Sequence, residues 1–262
     1  MHETLTTDEI NKEKHSFQST YNEPNPCQYF KEMLKVDYQI PQSAKPTIEF
    51  LIYETLMRRR VRRVSVLDIG CSYGVLSSLI KFNLDLSTLY AQFSHSGREI
   101  QYASYPCRDY IDFYGLDTSQ NAIDYSRQNG LLTAACAANL EEEAPNILEA
   151  CCFPASCDIV VSTGCYGYIT ERTFYAVLTH MKASRPSIIA TFVMDPFDFS
   201  SAAETLKGFG YATRQVTTRK FKQRRFVNDR ERHKLTAEPR QPNLDDYIYA
   251  TLHISEHSSA VP

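Results

Sequence analysis

Apolar and polar positions along the chain fall into blocks whose period switches between that of a helix and that of a strand. Residues 1–45 are polar and punctuated by proline, with helices predicted near 8–18 and 26–36. In PTIEFLIYETLM (46–57) apolar residues recur about every 3.6 positions behind a proline suited to a helix start. The basic run Arg58–Arg63 ends that helix, where cationic side chains face the carbonyl end of its dipole. VSVLDIG (64–70) then reads as a strand and 74–83 as a helix. The same alternation continues through IDFYGLD (111–117) and a helix over 119–129, then LLTAAC (131–136) and a helical stretch near 140–151. It goes on through CDIVVSTG (157–164) and a helix over 170–183, then PSIIATFVMD (186–195) and a helix over 199–208. YATRQVTT (211–218) and YIYATLHIS (247–255) read as two final strands. Strands apolar on both faces and separated by helices predict an α/β, doubly wound, mostly parallel sheet with right-handed crossovers. Residues 84–110 exceed an ordinary connection and read as a partly helical insertion of no assigned function.

Composition narrows the function classes. The 262 residues are 43% hydrophobic and 12% aromatic, enough for one sizeable core. A formal charge of −3 gives no global attraction to nucleic acid or to an anionic membrane. The basic runs RRRVRR and RKFKQRR have few interleaved aromatics and read as solvated faces rather than an RNA site. No apolar run has the length of a membrane span, and MHETLTTDEINKEKH lacks the apolar core of a signal peptide, so a cytoplasmic protein is expected. The eight cysteines form no C-x-x-C and suit neither a zinc site nor a disulfide framework. They read mostly as small buried hydrophobes, and no metal is expected.

Gly70-Cys71-Ser72-Tyr73-Gly74 is a literal G-x-S-x-G between a predicted strand and a predicted helix. A hydrolase nucleophile elbow has that spacing, but it needs an acid and a histidine downstream. Here no oxyanion loop precedes the turn, and His180, His233 and His253 fall in a late helix, a charged loop and a strand. The other reading is a cradle. Gly70, Ser72 and Gly74 are small enough for a sharp turn whose N–H groups approach a ligand at the helix N-terminus, with Asp68 organising the loop. The dinucleotide fingerprint fails at Val75, while Asp117 ends the second strand, where an acid can accept from ribose hydroxyls. A nucleoside ligand without a pyrophosphate follows.

These residues resemble the class I S-adenosylmethionine (SAM)-dependent methyltransferases. VLDIGCSYG is similar to their first motif, with Ser72 in place of the usual middle glycine. LDTSQNAIDYSRQNG is similar to the second, with Asp117 as the ribose acid and Thr118 beside it. CAANLEEEAP lies where the third belongs, with Asn139 and Leu140 flanking the adenine, and CDIVVSTG resembles the fourth, bringing Ser162 and Thr163. The resemblance spans roughly residues 46–218. It implies a Rossmann-like, seven-stranded sheet with an antiparallel last strand and SAM as cosubstrate. The polar segment 1–45 reads as an N-terminal helical lid on a catalytic domain of residues 46–262.

A sulfonium is an activated electrophile, so the protein must position a nucleophile and shield charge. Aromatic faces can hold the cation. Among 17 tyrosines, Tyr73, Tyr166, Tyr168 and Tyr175 lie at or after strand ends, and Tyr21 and Tyr29 lie in the lid. Gly167, between Tyr166 and Tyr168, implies a close backbone approach. A methyltransferase acting on a small acceptor in secondary metabolism is the expected function. TGCYGYITERTF, with Asn139 and YNEPNPCQYF, is also similar to the azetidine-2-carboxylate synthases. In those enzymes the amino group of SAM attacks its own γ-carbon and methylthioadenosine leaves. Asn139, Tyr166, Tyr168 and Tyr175 are the candidate catalytic residues, and Tyr168, Tyr175 and Asn139 are those that would direct the cyclisation. A hydrolase built on Ser72 and a non-catalytic SAM-binding protein are the remaining alternatives. The sequence gives no oligomeric state.

Overall fold

The centre of the sheet is β1 (Val64–Ile69), whose Val64 and Val66 pack on one face while Leu67 and Ile69 pack on the other. A strand apolar on both sides must be covered twice, and helices do so here. The computed structural model describes residues 22–97, 99–144, 146–235 and 246–258. Parallel neighbours flank β1: β2 (Ile111–Asp117) then β3 (Ala134–Ala137) to one side, β4 (Ile159–Thr163) then β5 (Ile188–Met194) to the other. β7 (Tyr247–His257) runs antiparallel between β5 and β6 (Tyr211–Arg225), giving the order β3-β2-β1-β4-β5-β7-β6. This is the seven-stranded, mostly parallel sheet that the methyltransferase resemblance implies. The order reverses at β1/β4, and in doubly wound sheets a ligand crevice opens at such a point.

Several elements differ from their sequence-based bounds. The helix expected from Pro46 begins six residues earlier: α2 runs Ile40–Arg59 and passes through Pro46, after α1 (Cys27–Lys35). Burial of Ile40, Ala44 and Ile48 along one stripe offsets the hydrogen bond that Pro46 removes. β3 starts later than expected, because Gly130 (φ +67°) follows the end of α5 (Gln120–Gln128) and Leu131 N–H donates back to Ser126 O at 2.9 Å. β6 continues seven residues past its expected end, paired along β7 with two register shifts. Arg224 in that extension is buried against Glu231 in a two-pronged ion pair (2.9 and 2.6 Å), which corrects the reading of RKFKQRR as wholly solvated. The helix expected near 8–18 lies outside the described residues.

Residues 84–110 hold α4 (Leu86–Tyr90), a π-helical turn (Ala91–Ser96) and a 3-10 turn (Tyr102–Ser104), with α3 (Val75–Lys81) preceding them. This insertion packs against α1. Phe30 stacks on Phe93 at 4.9 Å and meets Tyr90 edge-on at 5.8 Å, while Tyr29 contacts Tyr73 at 5.4 Å. The N-terminal segment and the insertion thus form one aromatic layer on the sheet's core.

Candidate functional site

A cavity of about 370 Å³ opens where β1, β2, β3 and β4 end. Its floor is the loop after β1, in which Gly70, Ser72 and Gly74 all adopt left-handed backbone (φ +75°, +49° and +69°). Gly70 N–H and Cys71 N–H donate to Leu116 O at 2.8 and 3.1 Å, which fastens the loop to β2. A Cβ on Gly70 would lie 2.6 Å from the Cys165 Cβ and 2.7 Å from its Sγ, so this position admits glycine alone without rearrangement. Ser72 bears the left-handed conformation with a side chain, at a cost of about 1–2 kcal/mol.

Asp117 caps the floor. Its carboxylate accepts from Ser72 N–H at 2.8 Å and Ser119 N–H at 3.0 Å, leaving acceptor capacity for further donors. Burial raises its pKa above the ordinary carboxylate value, and the backbone N–H groups oppose that rise. Asp68, behind the loop, is raised much further by burial and then by the Asp117 charge. Asp68 Oδ1 and Ser72 Oγ are both buried and have no hydrogen-bond partner among the described residues. Such orphans are costly, and a ligand's hydrogen-bonding groups would relieve them.

Of the residues singled out in the sequence, Tyr29, Asp68, Gly70, Ser72, Asp117, Thr118, Asn139, Leu140, Thr163 and Tyr168 line this cavity together. Asn139 Oδ1 accepts from Glu141 N–H at 3.2 Å, so the residue also forms a local turn. Tyr21 lies outside the described residues. Five candidates are not among the lining residues. Gly74 turns beneath it against Leu131, and Ser162 is buried within β4 against Cys165. Tyr166 is buried among Phe197 and Phe199 and donates its hydroxyl to Asp198 O at 3.1 Å. Tyr175 projects from the outer face of α7 (Glu171–His180), where it is 54% exposed and meets Phe209. Tyr73 turns toward the aromatic layer and donates to Glu23 O at 2.7 Å. The close approach at Gly167 is real but internal: the Phe197 ring fills the space where its Cβ would stand, 2.4 Å away.

Among the lining residues that went unread in the sequence, three are held by specific contacts. Tyr38 enters the cavity with its hydroxyl 3.4 Å from Thr163 O and 2.5 Å from where a Cβ on Gly164 would lie. It is held there from behind, because Asp37 (φ +45°) ends α1 in left-handed backbone and Tyr90 donates to Tyr38 O at 2.8 Å. Cys165 donates its thiol to Ile69 O at 3.1 Å. Thr173 comes from α7, whose N-terminus is clamped by Glu141. That carboxylate accepts from Thr170 N–H (2.8 Å), Thr170 Oγ1 (2.6 Å), Thr173 N–H (3.2 Å) and Thr173 Oγ1 (2.6 Å).

None of the described histidines lines the cavity, and His253 is engaged with Phe199 at 4.6 Å. Ser72 therefore lacks the base that an elbow nucleophile needs among the described residues. No group of three or more His, Cys, Asp or Glu that could hold a metal ion occurs among the described residues. No described helix is long and apolar enough to cross a membrane.

No family model matches the chain, and no curated protein matches it. Solved structures do. Magnesium protoporphyrin IX methyltransferase from Synechocystis PCC 6803 with bound SAM is 12% identical, with 98% of this chain and 100% of that one covered and a TM-score of 0.42. Precorrin-6y C5,15-methyltransferase from Geobacter metallireducens GS-15 is 14% identical over 79% and 87% of the two chains, at 0.40. A TehB-like SAM-dependent methyltransferase from Corynebacterium glutamicum ATCC 13032 Kitasato is 15% identical over 75% and 84%, at 0.38.

Proposed function

We propose that the chain is a SAM-dependent transferase that methylates a small-molecule acceptor. The observation that carries this reading is the cavity floor, where the Asp117 carboxylate stands beside the unpartnered Asp68 Oδ1 and Ser72 Oγ. The residues fit an adenosine-bearing ligand: buried polar atoms await partners, and Gly70 brings main chain to the surface. Bound SAM supplies a methyl group already activated on its sulfonium. Asp117 would take the ribose hydroxyls, and Ala138, Asn139 and Leu140 would lie along the adenine. Tyr29, Tyr38 and Tyr168 would shield the cation and exclude water.

Calorimetry with SAM and with S-adenosylhomocysteine tests the reading directly. Both compounds should bind, and Asp117→Ala should weaken binding by about 1–3 kcal/mol, as expected for a buried charged acceptor. Absence of heat with either compound on the folded wild-type protein overturns it.

The size of the cavity favours a second reading. At about 370 Å³ it lies near the lower end of single-ligand sites, roughly 300–1,000 Å³, which leaves little room for an acceptor beside SAM. Intramolecular attack of the SAM amino group on its γ-carbon, as in the azetidine-2-carboxylate synthases, needs no second substrate. Tyr168, Tyr38 and Asn139 would then direct the amine. Incubation with SAM alone separates the two: methylthioadenosine without acceptor supports cyclisation, and S-adenosylhomocysteine appearing only with acceptor supports methylation.

A further inference from the structure

Cys136 and Cys151 bring their sulfurs to 2.6 Å. Unbonded sulfurs ordinarily pack farther apart, and a disulfide bond is about 2.05 Å long, so little movement separates this pair from bond formation. Cys136 is the third residue of β3, buried and paired across the ladder with Leu116. Cys151 is exposed and ends α6 (Ile147–Ala150), donating its N–H to Ile147 O at 2.9 Å. Leu148 of α6 is buried in the apolar cluster that also holds Cys136, Leu116, Ala138 and Leu140, so packing holds the two sulfurs together from both elements. Burial, followed by the nearby Cys151, pushes the Cys136 thiol up to about 12, which keeps it protonated until it reacts.

We propose that Cys136 and Cys151 form a reversible redox site, oxidised to an intramolecular disulfide by oxidants of the peroxide class. The exposed Cys151 sulfur attacks the O–O bond of hydrogen peroxide, becomes a sulfenic acid and releases one water. The Cys136 sulfur then displaces the sulfenic oxygen, its own proton leaving with that oxygen as a second water. Two thiols lose two electrons in all, and one peroxide is reduced to two waters. A low-molecular-weight dithiol reverses the bond by exchange.

The ring so closed joins residues 15 apart in sequence. It encloses Ala138, Asn139 and Leu140, which form one wall of the cavity, and Glu141, which clamps α7. Oxidation therefore restrains that wall covalently, whatever ligand the cavity takes.

The test is stoichiometric hydrogen peroxide on the full chain, followed by peptide mass spectrometry without reduction. The expected product is a peptide pair joining Cys136 to Cys151, absent after dithiothreitol and absent in Cys151→Ser. Cys152, exposed and adjacent, is the natural competitor, and Cys152→Ser should leave the cross-link intact. Hydrogen exchange in residues 138–144 should slow on oxidation and recover on reduction. Sulfinic or sulfonic acid on Cys151 or Cys152 with Cys136 still a thiol would overturn the proposal. So would a cross-link running only through Cys152 or between chains. Neither readout requires SAM to bind, so the failure of this proposal and that of the proposed function are separable.

Discussion

The cavity floor and the aromatic layer that contributes Tyr29 and Tyr38 to its lining are built on different principles. The strand-end floor is made by backbone: three left-handed residues in five, an aspartate fastened by N–H groups, and a glycine with no room for a methyl. The aromatic layer is made by side chains that meet across long sequence separations: Phe30 on Phe93, Tyr90 holding Tyr38, and Tyr38 reaching Thr163. Backbone constraints leave fingerprints in a few adjacent residues. Packing constraints leave only apolar residues that many arrangements could bury. The floor is thus locally specified and the layer tertiary, and perturbing each should give different signatures.

The layer should yield the largest loss. Phe30→Ala removes a ring packed on Phe93, Tyr90 and Tyr29, and should cost about 3–5 kcal/mol in a urea titration. Because Phe30 shares its core with Val64, Val66 and Phe113 of the sheet, amides of β1 and β2 should lose protection together with those of α1. Loss of protection confined to 27–35 and 86–96 would instead make the layer a separately unfolding cover. In the floor, Gly70→Ala combines left-handed strain with overpacking against Cys165, for about 2–5 kcal/mol. Cys165→Gly should recover much of the overpacking part. Non-additivity below about 0.5 kcal/mol would mean that the two residues do not meet.

The same contrast explains what the sequence disclosed. The sheet, the Gly70–Gly74 turn, Asp117 and the Asn139–Leu140 rung were legible because each is written in a strand, a turn or a strand end. Tyr38 was not, since its partners Thr163 and Tyr90 stand 125 and 52 residues away. Glu141 was hidden in the acidic run 141–143, because its partners Thr170 and Thr173 arrive from another helix. Tyr175 was misjudged through helix phase. Its neighbour Phe174 faces the core, and one residue of rotation carries Tyr175 to the outside. Gly167 did mark a close approach, but the approaching group is Phe197, and spacing alone does not tell a ligand from a ring.

A smaller effect should come from raising the pH. In the folded chain Asp68 keeps its proton well above the ordinary carboxylate range, because of burial and then the Asp117 charge, while in the unfolded chain it ionises normally. Within that window the native state holds the extra proton, so stability falls as pH rises through it. Asp117, also raised, contributes with the same sign. Asp68→Asn should therefore flatten the decline of the urea midpoint above about pH 4, the ordinary carboxylate pKa. Parallel pH profiles for variant and wild type would show that Asp68 is ionised in the fold and that the floor carries a full buried charge.

The finest test asks whether the layer contributes chemistry or only cover. Tyr38 presents its hydroxyl to Thr163 O at 3.4 Å, too long for a strong bond, so Tyr38→Phe should cost the fold less than about 1 kcal/mol. The hydroxyl nevertheless reaches the cavity, packed where a Gly164 Cβ would stand, and burial drives its pKa well above that of free phenol. It is therefore a hydrogen-bond donor at any working pH, not a base. If it orients the methionine end of the ligand, Tyr38→Phe should slow product formation about tenfold, ~1.4 kcal/mol, with the unfolding midpoint nearly unchanged. Equal turnover in variant and wild type would reduce the aromatic layer to a hydrophobic cover. The polar work of the site would then belong to the backbone-built floor and to Tyr168 and Asn139.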